Sequence, residues 1–255
     1  WRWRCESIRS GPMARTKEGV ETRKQSWSRR GLRLGCLGLV GVVALILLVK
    51  VVTWPDVAAL AGRNPESTAF IDRARRAGEE VRWQWAPYDR ISPHLKRAVL
   101  VSEDINFFSH EGFDTGELRR AVNEALAGKR LRGASTLTQQ LAKNLWLSPS
   151  RNPLRKLEEA LLTRQLEHHL EKRRILELYL NVAELGPGIF GAEAAARHYY
   201  GRSASELSER QAAELAASLP RPSSWNPDSS SRAYRSRVRS VLRRMERAQW
   251  LLKQV

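Results

Sequence analysis

The sequence predicts a mainly α-helical protein carrying one membrane-spanning helix near its N-terminus. Residues 34–52 are the one long apolar run. From residue 92 almost to the end, apolar residues recur at helical spacing between helix-capping residues. Extended, alternating sequence is confined to residues 81–88.

Residues 1–33 hold ten Lys/Arg and three acidic residues and are too polar to build a core, so they read as a disordered basic tail. Met13 lies within this tail and is a candidate start. Residues 34–52 carry a single charge, Lys50 near the end, followed by Trp54. A helix needs about 20 apolar residues to cross a bilayer core, a terminal Lys can snorkel, and an aromatic suits the interface. The run lacks the polar face of a soluble core helix. Ala59, Leu60 and Ala61 resemble a signal cleavage site, but the run is long for a cleaved signal, so an uncleaved anchor is preferred. The basic residues before it place the N-terminus in the cytoplasm and the remainder outside.

Residues 53–91 read as a connecting region, with a turn at Asn64-Pro65, a short helix over 67–76 and an edge strand over 81–88 ended by Pro87. Residues 92–228 form the expected main domain. Ser92 caps a helix with Pro93 at its first position, and that helix delivers Glu103 near its end. Asp114 to Glu117 caps a second helix, with Leu118, Val122, Ala125 and Leu126 inward and Gly128 as its stop. The basic, glycine-bearing stretch 129–133 reads as mobile. Ser135 caps a third helix and Asn152-Pro153 a fourth, with Leu154, Leu157, Leu161 and Leu166 on one stripe. Residues 173–181 continue helically, Gly186-Pro187-Gly188 forces a loop, and residues 189–200 are an alanine-rich helix ended by Gly201. Ser208 and Gln211 make a capping box for a helix that stops before Pro220. Residues 229–255 are expected as a separate amphipathic helix, with Val238, Val241, Leu242, Met245 and Ala248 inward and basic residues outward, suited to anionic headgroups.

A net charge of +17 points to an anionic partner: nucleic acid, phospholipid or a phosphorylated substrate. Both cysteines, Cys5 and Cys36, precede residue 53, so the main domain has no disulfide or thiol chemistry, and no Cys/His cluster suggests zinc.

The chemistry concentrates in residues 103–144. Glu103, Asp104, Phe107, His110 and Asp114 fall within a dozen residues, and residues 132–144 pack hydroxyls, Gln139, Gln140 and Lys143 into a short helix. Glu103 and Asp104, being adjacent on a helix end, point in different directions. His110 fits a loop-orienting role and Asp114 a helix cap. At least one of the two glutamines needs a backbone or substrate partner. Glu159 with Arg155 and Lys156 is either an intrahelical ion-pair set or a second part of a site. Carboxylates together with clustered cations fit glycosyl transfer from a phosphorylated donor: one carboxylate takes the proton of the attacking hydroxyl, and cations stabilise departing pyrophosphate. A lytic or lysozyme-like hydrolase needs the carboxylates but not the cations. A membrane-tethered binding protein for nucleic acid or anionic lipid would need only the basic patches.

Five motifs then carry a resemblance. They are E-D-x-x-F-x-x-H-x-G-x-D at 103–114, G-x-S-T-x-T-Q-Q-L-x-K-N at 133–144, R-K-x-x-E at 155–159, I-L-E-x-Y-L-N at 175–181 and W-N-P at 225–227. Over roughly residues 64–245 the chain resembles the monofunctional biosynthetic peptidoglycan glycosyltransferases of glycosyltransferase family 51. The resemblance implies a lysozyme-like, bilobal helical fold with a membrane-dipping jaw, and a segment over 119–133 that covers the cleft. It implies that Glu103 is the general base activating the 4-hydroxyl of lipid II, that the growing lipid-linked glycan strand is the donor, and that an inverting attack forms a β-1,4 bond and releases undecaprenyl pyrophosphate. It implies that Glu159 assists at the donor, that Lys143, Arg151, Arg155 and Lys156 hold phosphates, and that Asp104, Phe107, His110, Ser135, Thr136, Gln139 and Asn144 line the substrate cleft. It further implies a divalent cation (Mg2+ or Mn2+), cell-wall synthesis or division proteins as partners, no nucleic acid, and a single-pass protein of the bacterial inner membrane with a periplasmic catalytic domain. Ala134 stands where many relatives have glycine. No S-x-x-K or K-T-G motif occurs, so no transpeptidase activity is expected.

Overall fold

The structure is a computed structural model that describes residues 29–127, 135–150 and 152–255. The basic tail up to residue 28, Gly128, the stretch 129–133, Ala134 and Arg151 lie outside the described residues. The chain divides into two units, Trp1–Trp54 and Pro55–Val255. The first contains helix α1, Arg29–Val52, whose portion Gly35–Val52 is long and apolar enough to cross a membrane.

The second unit is mostly helical. Its helices are α2 Ala69–Arg76, α3 Pro93–Glu103, α4 Thr115–Leu126, α5 Leu137–Trp146, α6 Pro153–His169, α7 Lys172–Val182, α8 Ala192–Tyr200, α9 Glu209–Ser218 and α10 Arg232–Arg247. Three short strands, β1 Arg82–Trp83, β2 Glu184–Gly186 and β3 Ile189–Phe190, form a sheet in the order β1-β3-β2. β1 is the edge strand expected in 81–88. Residues 189–190 are strand and α8 begins only at Ala192, because Gly191 adopts φ 82°, a conformation that L side chains rarely take. A Cβ there would lie 2.5 Å from the Asn181 carbonyl oxygen.

Two helical layers position the site. α3, α9 and α10 pack on one another, and α5 packs on α6 and α7. α3 buries Leu95, Ala98, Val99, Leu100 and Val101. α9 meets it with Ala212, Ala213, Ala216 and Ala217, all buried, and such small residues allow two helices to approach closely. Arg97, 1% exposed, crosses this layer: it donates to Gln249 (2.7 Å) and pairs with Glu209. α10 therefore belongs to the main unit, with Tyr234, Val238, Val241 and Met245 buried, instead of standing apart from residue 229 onward.

Local capping explains the helix starts. Ser92 Oγ accepts from the His94 amide ahead of Pro93, and Asp114 Oδ1 accepts from the Glu117 amide at 2.8 Å. α5 is capped by Thr136, one residue later than expected, since Gln139 completes a capping box with Thr136 and not with Ser135. The largest departure concerns the leucine stripes. Leu154, Leu157 and Leu161 of α6 are 67%, 59% and 49% exposed, and of the α6 stripe only Leu166 is buried; Leu118 and Leu126 of α4 are exposed as well. Ala59, Leu60 and Ala61 are folded into a 3-10 turn with Leu60 buried and its carbonyl accepting from Arg174 at 2.8 Å.

Asn181, the last residue of the 175–181 motif, is wholly buried and clasps the chain before α3. Its Oδ1 accepts from the Ala86 amide (2.8 Å), while its Nδ2 donates to the carbonyls of Ala86 and Glu177 (2.9 Å each). Asn181→Leu leaves the Ala86 amide and carbonyl without partners, at about 1–3 kcal/mol for each unsatisfied buried group. Urea unfolding is expected to show about 2–4 kcal/mol less stability than wild type.

Candidate active site

α3 ends where the chain leaves helical geometry at Asp104, with φ −160° and ψ 79°. This break is held by the Asp104 carboxylate. Oδ2 accepts from the Leu137 amide at 2.9 Å, which ties it to the start of α5, and His110 Nε2 donates to Oδ1 at 3.0 Å. His110 Nδ1 accepts from the Gly112 amide (3.1 Å), so the ring proton sits on Nε2. Gly112 has φ 82°, and a Cβ there would lie 2.8 Å from Thr163. Thr136 Oγ1 donates to the Gly112 carbonyl at 2.7 Å.

That framework turns Glu103 away from Asp104 into the cleft. Glu103 Oε1 accepts from Ser102 Oγ (2.9 Å) and Arg237 Nη2 (3.0 Å), and Oε2 accepts from Gln140 Nε2 (3.1 Å). Gln140 Oε1 accepts in turn from Tyr179 OH at 2.9 Å. Burial, reinforced by the negative charges of Glu103 and Asp104, pushes the Tyr179 phenol well above its ordinary value and keeps it a donor.

Glu103 lines one hollow, and its partner Gln140 lines a second. The first, of about 350 Å³, is lined among others by Glu103, Asp104, Asn106, Ser135, Thr136 and Arg244. The other, of about 430 Å³, is lined by Gln140, Lys143, Asn144, Tyr179, Glu184 and Arg221. Burial lowers the proton affinity of Lys143, with further influence, in order, from Glu159, Arg155, Lys156 and Glu103, so these five groups share one region. Glu159 is buried, with Oε2 accepting from Arg155 Nη1 (2.8 Å) and Oε1 paired with Lys156, so it presents two cations instead of an open carboxylate. Burial, followed by the charge of Glu79, pushes the Glu184 carboxyl up to about 6. A larger hollow of about 500 Å³, lined by Glu79, Arg82, His198 and Asp228 among others, shares no lining residue with these two, and Arg82 there is already bonded to Glu80 and His198. Among the described residues no group of three or more His, Cys, Asp or Glu could hold a metal ion. The carboxylates of Glu103 and Glu159 are each paired with cations, which does not fit a protein-built metal cage.

A family model described as "Transglycosylase" matches residues 68–246, a span that includes the whole Glu103–Glu159 constellation. The chain belongs to the transglycosylase family. It is similar to a biosynthetic peptidoglycan transglycosylase of Bordetella avium (strain 197N), with 46% identity over 235 residues that cover 88% of this chain and 96% of the relative. Proteins of the same name from Laribacter hongkongensis (strain HLHK9) and Nitrosospira multiformis (strain ATCC 25196 / NCIMB 11849 / C 71) share 46% and 47% identity. Their alignments cover 82% and 72% of this chain, and 94% and 84% of the relatives.

In this transglycosylase the residues expected in the cleft fall into two groups. Glu103, Ser135, Lys143 and Asn144 line the hollows, with Arg155 and Lys156 beside Lys143. Asp104 and Thr136 border the Glu103 hollow and also hold the scaffold, whereas Phe107, His110 and Gln139 are placed in the scaffold alone. Phe107 is fully buried against Phe108, and the Gln139 side chain accepts from the Thr136 amide at 3.0 Å. Gln140 is the amide that reaches Glu103. It shares a helix face with Lys143 and Asn144 at i+3 and i+4, a spacing visible in the sequence. Sequence reasoning marks Tyr179 only as a letter of the 175–181 motif, with no role, and does not single out Glu184 or Arg237. Arg237 immediately precedes buried Val238, and that position on the helix is its sole sequence signal.

Proposed function

We propose that this transglycosylase polymerises lipid II into β-1,4-linked peptidoglycan strands, with Glu103 as general base. The observation that carries this reading is a cleft-facing carboxylate, held by fixed donors, with a cation-rich hollow on one side. The acceptor hydroxyl gives its proton to Glu103, its oxygen forms a bond to the donor's anomeric carbon from the opposite face, and the bond to pyrophosphate oxygen breaks. Lys143, Arg155 and Lys156 face the charge that develops on the departing undecaprenyl pyrophosphate, and Glu159 aligns the latter two. Arg151, between α5 and α6 in the chain, belongs to the same phosphate-holding set. Ser135 and Asn144 contact the sugar chain. A divalent cation, Mg2+ or Mn2+, belongs in this reading on the substrate's phosphates.

The lipid-linked substrate places the enzyme at a membrane. Gly35–Val52 serves as the anchor, and the basic residues before it favour a cytoplasmic N-terminus and a catalytic unit on the periplasmic face of the bacterial inner membrane. The exposed leucines of α4 and α6 supply apolar surface suited to the bilayer, and their exposure is why they fill no core. Cell-wall synthesis or division proteins are the natural partners, and the positive charge needs no nucleic acid to explain it. A lytic activity has no use for the Lys143–Arg155–Lys156 cluster.

The test is turnover of purified lipid II by the detergent-solubilised protein. The expected product is a glycan strand cleaved by lysozyme, with one lipid pyrophosphate released per bond formed. Lipid II consumption without strands would overturn the reading.

A further inference from the structure

Glu103 is not held symmetrically. A carboxylate oxygen has two in-plane lone pairs. Oε1 has both occupied, by Ser102 Oγ at 2.9 Å and Arg237 Nη2 at 3.0 Å. Oε2 accepts only from Gln140 among the described residues, at 3.1 Å. The same Arg237 nitrogen also donates to Ser102 Oγ at 3.0 Å, and for the Ser102 proton Oε1 at 2.9 Å is a nearer acceptor than the Ala216 carbonyl at 3.5 Å. Gln140 is itself oriented by Tyr179, so its amino group faces Oε2.

We propose that Arg237, reaching over from α10, is a positioning residue for the reaction: with Ser102 it saturates Oε1 and leaves the open lone pair of Oε2 to take the acceptor's proton. This rests on the reading of Glu103 as the base. The guanidinium is placed by its own helix, since Val238 and Val241 beside it are buried where α10 meets α9 and α3. The C-terminal helix is thereby part of the catalytic apparatus and not a headgroup-binding tail. Arg237 also borders a hollow of about 300 Å³ with Ser102, Trp225, Ser236, Ser240 and Arg244, so a small cation can enter behind Glu103.

The experiment compares Arg237→Ala, Arg237→Lys, Glu103→Gln and Arg239→Ala in the full chain. Arg239 is exposed on the same helix and controls for charge and folding. Arg237→Ala is expected to lower kcat for lipid II polymerisation about 10²-fold with KM within about threefold, since a positioning group acts on the chemical step. Arg237→Lys, with a charge but no fork, is expected to keep roughly a tenth of wild-type kcat. Guanidinium at tens of millimolar is expected to raise the rate of Arg237→Ala at least about fivefold and to leave Glu103→Gln unchanged. An Arg237→Ala enzyme equal to Arg239→Ala, a loss confined to KM, or a loss that neither lysine nor guanidinium restores would overturn the assignment. Should Arg237→Ala fail to fold, Arg237→Lys decides: reduced kcat at constant KM supports the role, and unchanged kcat overturns it. Full polymerisation by Glu103→Gln would instead overturn the base reading and this role with it, whereas an inactive Glu103→Gln beside a normal Arg237→Ala would overturn the Arg237 role alone.

Discussion

Glu103→Gln is expected to lower kcat by about 10³-fold, within the 10²–10⁴ range that a positioned general base contributes. That corresponds to about 4 kcal/mol of transition-state stabilisation. The loss should fall on kcat, with KM little changed, because the amide keeps the shape of the side chain and loses its basicity. The surrounding network can accept the change. Arg237 and Ser102 still find an oxygen at the Oε1 position. The new amide hydrogens meet Gln140, which can turn its oxygen toward them if Tyr179 OH changes from donor to acceptor. The thermal midpoint should therefore stay within a few degrees of wild type, on the order of 1 kcal/mol. A variant that is inactive because it has unfolded would not meet this expectation, and circular dichroism on the assayed sample separates the two cases.

Lys143→Met removes a cation whose charge is coupled to both Glu159 and Glu103 and is expected to cost about 10²–10³-fold in kcat, comparable to the loss of one donor to a developing anion. Lys143 also sets a pH dependence whose sign follows from its surroundings. Burial disfavours its ammonium form, so the charge that faces phosphate is lost at a lower pH than for an ordinary lysine. Activity should then decline on the alkaline side earlier than an unperturbed lysine would allow. Lys143→Arg, charged throughout the accessible range, should extend activity to higher pH even where its maximal rate is lower. An alkaline limb that does not move between the wild-type and Lys143→Arg enzymes would assign that limb to another group.

The parts of this molecule legible in its sequence are those determined locally. Ser92-Pro93, Asp114 with Glu117, Asn152-Pro153 and Ser208 with Gln211 mark helix starts because a capping side chain and its amide partner lie within three residues. The same rule assigns the α5 cap to Thr136 over Ser135 once Gln139 is counted. Periodicity identifies an apolar helix face without saying what covers it, which is why Leu154, Leu157 and Leu161 read as core and are exposed. The motif that contains Glu103 is plain, yet half of its residues serve the scaffold: Asp104, His110 and Phe107 hold the turn that aims Glu103. A list of polar residues cannot separate these roles, because the separation depends on which way the chain leaves α3. The Arg237–Glu103 pair joins residues 134 positions apart through the packing of α10 on α3, and no local pattern encodes it.

The most direct test of the central claim offers the wild-type protein two substrates in parallel, purified lipid II and intact purified peptidoglycan. Synthesis from lipid II with no release of muropeptides from the wall is the predicted result. Digestion of the wall without polymer from lipid II would contradict it, and would leave the Lys143–Arg155–Lys156 cluster without the pyrophosphate it is placed to meet.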